Sequence, residues 1–446
     1  MAVLSLVIGC GLVFFSGDGL ALLLLPVRDR ALRFALAFPL GCLLNALAVA
    51  VFTVNTVPLS ALGLWLCHLL LALALHFAAR KREPDASPAD PRHIRLSGPA
   101  RLACIALIAA AATFGLVHAL LPTAGIDSFT NWTMRAERSF EDRTIAFDDT
   151  EKRGVAKPQY PILLHALQLT ANAANAEWND RGANVATALL TVSLWIATWR
   201  LIARRRGRDA ALLLFALAAS MPLLVVHHAQ GYADLPLAQF TLLAALCISQ
   251  CIEEPQSNRW IALGSALVAA ALWTKTEGLA VAWIPWAVVL PFASRKRLRP
   301  AQTIAAIVVP LVCLAPHGIL LWLHGLGFTP HGSDLSLSCS AAGLQAIASA
   351  VLGSGSLGIA PLVGLVAGAS LAWSHRRSPV VLLPLAWGAL ALVITIAAYA
   401  CTPNARFLLN GESFFRQMFG PSLVLLAGVV LLWANGAKGA GKSGLK

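Results

Sequence analysis

Two acids stand where acid–base chemistry would be useful, Asp127 in IDSFTNWTMRAERSF and Asp234 in GYADLPLA. Around them in sequence lie cations: Arg135, Lys157 in KPQYP, Lys275 in WTKTEGLA, with Glu277 two residues on, and Arg416 in GESFFRQMFGP. Tyr160 adds a ring that can stack on a sugar or donate a hydrogen bond. A carboxylate can take a proton from an acceptor hydroxyl as general base. Lysine and arginine, or a metal ion, can neutralise the charge that grows on a departing phosphate. This residue set suits removal of a sugar from a lipid phosphate. Plainer readings stand beside each assignment. Asp127 and Asp234 are well placed to cap helix starts, and Lys275 and Arg416 can extend to the interface from helix ends.

These groups need a scaffold, and the sequence specifies one. Of its 446 residues, 58% are hydrophobic and 12% charged, against roughly 25% charged in soluble domains. Apolar stretches near the length of a membrane-crossing helix recur, and the alternation of a membrane β-barrel is absent. The expected fold is an all-α integral membrane protein of about 13 spans, near 3–25, 34–54, 59–78, 102–122, 182–203, 209–229, 235–252, 260–275, 278–293, 301–324, 346–373, 379–400 and 418–434. Alternate loops differ in charge. One set, from RDRALR to the tail, carries 24 Lys/Arg and 7 Asp/Glu; the other carries 10 and 13, with Asp18 left inside the first span. The basic set is expected in the cytoplasm, which puts the N-terminus outside and the C-terminus inside. The net charge of +13 then reads as a topological label, and nucleic acid is not an expected partner. Residues 2–25 have no preceding Lys or Arg and read as a span, not a cleaved signal.

The candidate residues gather on the outer side, whereas a transporter more often carries ionisable groups near the midplane. The longest outer loop, 123–181, holds Phe129, Trp132, Ala136 and Phe140 at spacings of three and four. That predicts an amphipathic helix over 128–141, with Arg135, Glu137 and Arg138 on its polar side. A second is expected over 162–169, and both suit the membrane interface. Residues 1–101 read as N-terminal extra helices plus a cytoplasmic linker, 102–434 as the core and 435–446 as a cytoplasmic tail. Asp18, in SGDG, reads as a polar packing group. The sequence requires no cofactor. A divalent cation is compatible with Asp234 or with Asp148-Asp149, although that doublet reads better as a solvated turn. His227-His228 lack an evident third ligand. Most of the nine cysteines lie in apolar spans; Cys339 and Cys401 fall near outer loops, where pairing is allowed but not required.

In order, IDSFTNWTMRAERSF, KPQYPILLHALQL, GYADLPLA, WTKTEGLA, GFTPHGSDLSL and GESFFRQMFGP resemble a group of bacterial membrane proteins. The group belongs to the GT-C glycosyltransferase superfamily and is related to the dolichyl-phosphate-mannose protein mannosyltransferase type (glycosyltransferase family 39). The resemblance runs over roughly 102–434. It implies a polyprenyl-phosphate-linked sugar donor and inverting transfer at the extracytoplasmic face, to a glycan, lipid or protein acceptor. It also implies that Asp127 is catalytic, as base or acceptor-orienting carboxylate, and that Asp234 is the second outer acid. Two features differ from many relatives: Ser128 follows Asp127 where an acid pair is common, and Arg135-Ala136 replaces Lys-Ala. Two other readings therefore stay open, a lipid or small-molecule transporter and a GT-C-like membrane protein without catalysis.

Overall fold

The computed structural model describes residues 2–27, 29–81, 94–123, 125, 128–147, 157–228, 231–254, 258–295, 297–328, 341, 344–345, 347–348, 356–358, 360–374, 382–401 and 412–440. Asp127, Asp148-Asp149 and Cys339 lie outside the described residues. Among those described there is no strand.

Helices follow one another in the expected order. They are α1 Ala2–Leu24, α2 Arg30–Val54, α3 Ala61–Ala79, α4 Gly98–Ala119, α5 Met134–Asp142, α6 Leu163–Asn172, α7 Asp180–Arg206, α8 Arg208–Ala219 and α9 Pro222–His227. Then come α10 Asp234–Glu253, α11 Arg259–Thr274, α12 Ile284–Ser294, α13 Pro300–Leu323, α14 Ala360–Ser374, α15 Leu383–Ala400, α16 Glu412–Gln417 and α17 Phe419–Ala440. Nine helices among the described residues are long and apolar enough to cross a membrane, and three more segments are apolar but shorter. The chain is a multi-pass integral membrane protein. The expected sixth span differs from its prediction. It breaks at Ser220 and Met221 into α8 and α9, where Pro222, which lacks an N–H, starts the second piece.

Local chemistry sets the boundaries. Side chains of Asp29, Ser60, Ser97 and Asn179 accept from the first-turn backbone of α2, α3, α4 and α7, satisfying donors that helix geometry leaves open. Gly207, at φ 84°, ends α7 and admits α8 at once. The last turn of α7 carries Arg204, Arg205 and Arg206, of which Arg205 and Arg206 are buried. Arg204 meets Glu254 at 2.6 Å, Arg205 also pairs with Glu254, and Arg206 donates to the Leu431 carbonyl at 3.0 Å. The RRR run is therefore also a clasp joining α7, α10 and α17 at the basic end.

Helices α1 and α2 cross at contact distance. A Cβ on Gly17 would lie 1.8 Å from the Ala37 carbonyl oxygen, and one on Gly41 would lie 2.0 Å from that of Val13. Asp18, beside this crossing, pairs with Arg33 at 2.9 Å and His76 at 3.2 Å, which is the polar packing role expected of it. Gly41→Ala must therefore push α1 off α2, with an expected loss of about 1–3 kcal/mol, as for other overpacked contacts. A melting curve of the reconstituted variant checks this.

Candidate active site

Three separate reversals of the chain build the site. The first is GYAD. Gly231 has φ +67°, a left-handed conformation that side chains rarely adopt, and it turns the chain from α9 into α10. This places Asp234 in the first turn of α10, where the helix dipole favours a carboxylate. Asp234 does not act as the cap; that position is Ala233, with no side-chain cap bond. The second reversal is TKTEG. Lys275 leaves α11 in extended conformation, and the Gly278 N–H closes the turn onto the Lys275 carbonyl at 2.9 Å. A Cβ on Gly278 would sit 2.6 Å from the Ala271 carbonyl oxygen, so only glycine fits. A π-helical turn, Leu279–Trp283, then leads into α12. The third is the short helix α16, which brings Arg416 and Gln417.

The result is an ionic cluster with a buried centre at Asp234 and Lys275. Asp234 Oδ1 accepts from Lys275 Nζ at 2.8 Å and from Gln417 Nε2 at 3.1 Å, while Asp234 Oδ2 lies 3.9 Å from Arg416 Nη1. Lys275 Nζ also meets Glu277 Oε1 at 3.1 Å, and Gln417 Nε2 reaches the same oxygen at 3.3 Å. The Asp234 and Lys275 side chains are 2% and 6% exposed, but that of Glu277 is 29% exposed, so Glu277 is the carboxylate open to a solute. Burial alone would favour a neutral amine at Lys275. The Asp234 carboxylate, with Glu277 behind it, outweighs burial and holds the ammonium well above the ordinary lysine range.

Aromatic rings line the cluster. The Tyr160 ring lies 5.5 Å from Lys275 Nζ, and the Tyr232 ring 5.5 Å from Arg416 Cζ. Trp132 stacks on Tyr160 at 5.1 Å and lies 5.2 Å from His165. Burial, reinforced by Glu277, pushes the Tyr160 phenol far up, so it stays protonated. The chain has three tyrosines. The third, Tyr399, feels the same four charged groups and packs on Phe414 at 5.3 Å. Gln417 and Tyr399 were absent from the sequence-based candidates. The scarcity of tyrosine was the available signal for Tyr399; Gln417 offered none beyond its place next to Arg416.

Arg135 departs from its expected place. It lies on the buried stripe of α5 with Ala136, Ser139 and Phe140, not on a polar face. The helix expected over 128–141 is a π-helical turn, Ser128–Thr133, followed by α5. The wider turn offsets the helical stripe, and Phe129 is half exposed while Trp132 is buried. Arg135 donates to the carbonyls of Ala146 at 2.9 Å and Tyr160 at 2.7 Å, with its guanidinium 4.8 Å from the Phe147 ring. Burial lowers its pKa to about 9, which leaves it charged at neutral pH. Arg135 thus ties the turn holding Tyr160 to the loop after α5. Arg135→Lys keeps the charge but cannot reproduce the fork. It is expected to lose about 1–3 kcal/mol through a carbonyl left without its donor, measurable by thermal or denaturant unfolding. Lys157 begins the Tyr160 turn, its carbonyl accepting from Tyr160 N at 3.1 Å.

The expected α6 helix over 162–169 is present as Leu163–Asn172 and is buried along its whole length. It is an internal element, not one lying on the membrane surface. His227 packs on Tyr232 at 4.2 Å, and His228 accepts from Trp195 Nε1 at 2.6 Å, so both serve packing. No group of three or more potential metal ligands occurs among the described residues.

Four of the sequence candidates, Asp234, Lys275, Glu277 and Arg416, thus meet in one place, with Tyr160 against them. Residues 159–322, which include four of these five, match the family model described as dolichyl-phosphate-mannose-protein mannosyltransferase. The chain is similar in fold to ArnT from Cupriavidus metallidurans bound to undecaprenyl phosphate, with a TM-score of 0.50 at 16% identity. The match covers 73% of this chain and 59% of that one. The apo state of the same protein gives 0.48 at 18% identity, with coverage of 73% and 59%. No curated protein matches. The architecture is an all-α membrane fold like that of the ArnT structure. Within it, residues 159–322 match the mannosyltransferase family model, the family type that the motifs resemble.

Proposed function

We propose that this protein is a GT-C glycosyltransferase that moves a sugar from a polyprenyl-phosphate carrier to an acceptor at the extracytoplasmic membrane face. The observation that carries the reading is the Asp234–Lys275–Glu277–Arg416 cluster, buried at Asp234 and Lys275, set where membrane helices end and lying largely within the family-matched segment. Undecaprenyl phosphate bound to the ArnT neighbour is consistent with such a carrier.

The chemistry divides among the residues. The bond from the sugar's anomeric carbon to the carrier phosphate breaks as an acceptor oxygen bonds to that carbon from the opposite face, inverting it. Lys275 and Arg416 offset the charge gained by the carrier phosphate. Asp234, held between these two cations, is a weak proton acceptor. Its role is to fix their positions, with Gln417 bracing it. Asp127 takes or orients the acceptor proton, and Lys157 assists at the phosphate. Glu277 is open enough to hydrogen-bond sugar hydroxyls, and Tyr160 and Trp132 offer a ring wall for the sugar.

Sidedness rests on charge and redox chemistry. The alternation of basic loops supports an outer position for the cluster's end. Cys401 is disulfide-bonded, whereas seven cysteines in or near the apolar helices are free. Disulfides persist in oxidising compartments, and Cys401 follows α15 at the end that leads to α16 and Arg416.

The test is transfer in proteoliposomes. Purified protein is supplied with radiolabelled sugars on polyprenyl phosphates and with candidate glycan, lipid and protein acceptors. The reading expects labelled product and released carrier phosphate. Carrier movement across the bilayer with no bond broken would instead establish transport.

A further inference from the structure

A second buried polar chain lies away from the charged cluster. Ser16 on α1, Asn45 on α2 and His68 on α3 are each essentially unexposed. Ser16 Oγ lies 2.9 Å from His68 Nδ1, and His68 Nε2 lies 2.9 Å from Asn45 Oδ1. The same Asn45 oxygen accepts from Thr170 Oγ1 at 3.0 Å, and Thr170 belongs to α6. Four helices therefore share one line of hydrogen bonds inside an apolar bundle.

Two further contacts seat α6 on this N-terminal unit. The Ala174 N–H, just past α6, donates to Ser5 Oγ at 3.0 Å. Gly9 lets the Thr170 carbonyl approach to 2.5 Å from where a Cβ would be. At its other end α6 carries His165, whose Nε2 lies 3.2 Å from the Asn131 carbonyl. His165 also faces Trp132, which stacks on Tyr160 beside Lys275. Helix α6 thus spans from the polar chain to the wall of the candidate site.

We propose that Asn45 and His68 are positioning residues: through Thr170 they fix the depth and rotation of α6, and so the Trp132–Tyr160 wall over Lys275. Apolar contact between helices in lipid leaves register loosely defined, because lipid tails compete equally for it. Directional polar bonds and small residues supply the missing specificity. The inference rests on the proposed transfer site for its functional consequence, but its geometric content stands alone.

The experiment uses the full chain in nanodiscs, with spin labels introduced through unnatural amino acids at Leu62 and Phe129, both exposed. His68→Leu, Thr170→Val, their double variant and His68→Gln are compared with the parent by label distance, melting temperature and donor-dependent transfer. Each single change is expected to broaden or shift the distance and to lower transfer by about 3- to 30-fold, as for other residues that couple sites through a network. The double variant should be no worse than either single one, since both act through Asn45. His68→Gln, which can still bond, should recover most of the loss. Unchanged distances, fully additive losses, or transfer falling only in step with melting temperature would overturn the proposal. If the parent transfers no sugar, the transferase reading fails, and the label distances alone decide the positioning role.

Discussion

Lys275→Met is expected to destabilise the protein by about 3–5 kcal/mol, because it leaves a buried carboxylate without its principal counter-charge. Asp234 is 2% exposed in its side chain and receives Lys275 Nζ at 2.8 Å. Arg416, at 3.9 Å, is too distant to replace that bond. Sugar transfer should be abolished together with stability, so the single variant cannot separate packing from chemistry. The pair Asp234→Asn, Lys275→Met can. Replacing both partners removes the buried charge pair altogether, which is often neutral or favourable, so most of the lost stability should return. Transfer should not return, because the cation proposed to offset the carrier phosphate is still missing. Denaturant unfolding and the proteoliposome assay together give the answer. A double variant that regained both would reduce Lys275 to a structural role. The pH dependence follows in sign. A lysine whose folded pKa is raised contributes stability fully below its unfolded value of about 10.4, and loses it as pH climbs through the folded value. The cluster should therefore hold unchanged through the neutral range and fail only in strong alkali.

Long apolar runs bounded by charges announced most of the helices, since a membrane span needs little beyond length and composition. The break at Ser220–Met221 was not announced by the apolar pattern, which continues across it; Pro222 was the sole punctuation. Nor did periodicity reveal the π-helical turns Ser128–Thr133 and Leu279–Trp283, because a single widened turn changes no residue type. The site was legible as a set of motifs and not as an arrangement. Gln417 reaches Asp234 across 183 residues, a distance over which spacing has no predictive content. Arg135 was misplaced for a related reason. Its acceptors are neutral backbone carbonyls 11 and 25 residues away, and a buried arginine bonded to carbonyls looks in sequence like any arginine on a polar face. Helix α6 was assigned to the membrane interface by its amphipathic pattern. Its polar residues Thr170 and Gln168 instead meet Asn45 of α2 and Thr187 of α7 inside the protein, so the same pattern served an internal face.

Asp127→Asn should lower transfer by about 10²–10⁴-fold, the range typical of lost general acid–base assistance, with donor binding and melting temperature unchanged. The neighbouring chain gives the position its context. Ser128 opens the π-helical turn, Phe129 N donates to the Gly125 carbonyl at 2.8 Å, and a Cβ on Gly231 would lie 3.1 Å from Ser128 Oγ. The residue after Asp127 thus packs on the turn that delivers Asp234. The choice of asparagine decides between the two roles open to Asp127. Asparagine caps a helix about as well as aspartate, so a residue that only caps would tolerate the change with transfer intact. A base would not, since the amide cannot take the acceptor proton. Asp127→Ala removes both functions and should add a stability loss of about 0.5–2 kcal/mol to the same kinetic defect. Initial rates at saturating donor, measured beside a melting curve for each variant, separate the cases. A full rate with Asn and a lowered melting point with Ala would leave Asp127 a helix cap and move the search for the base to Glu277, the carboxylate of the cluster that stays open to solutes.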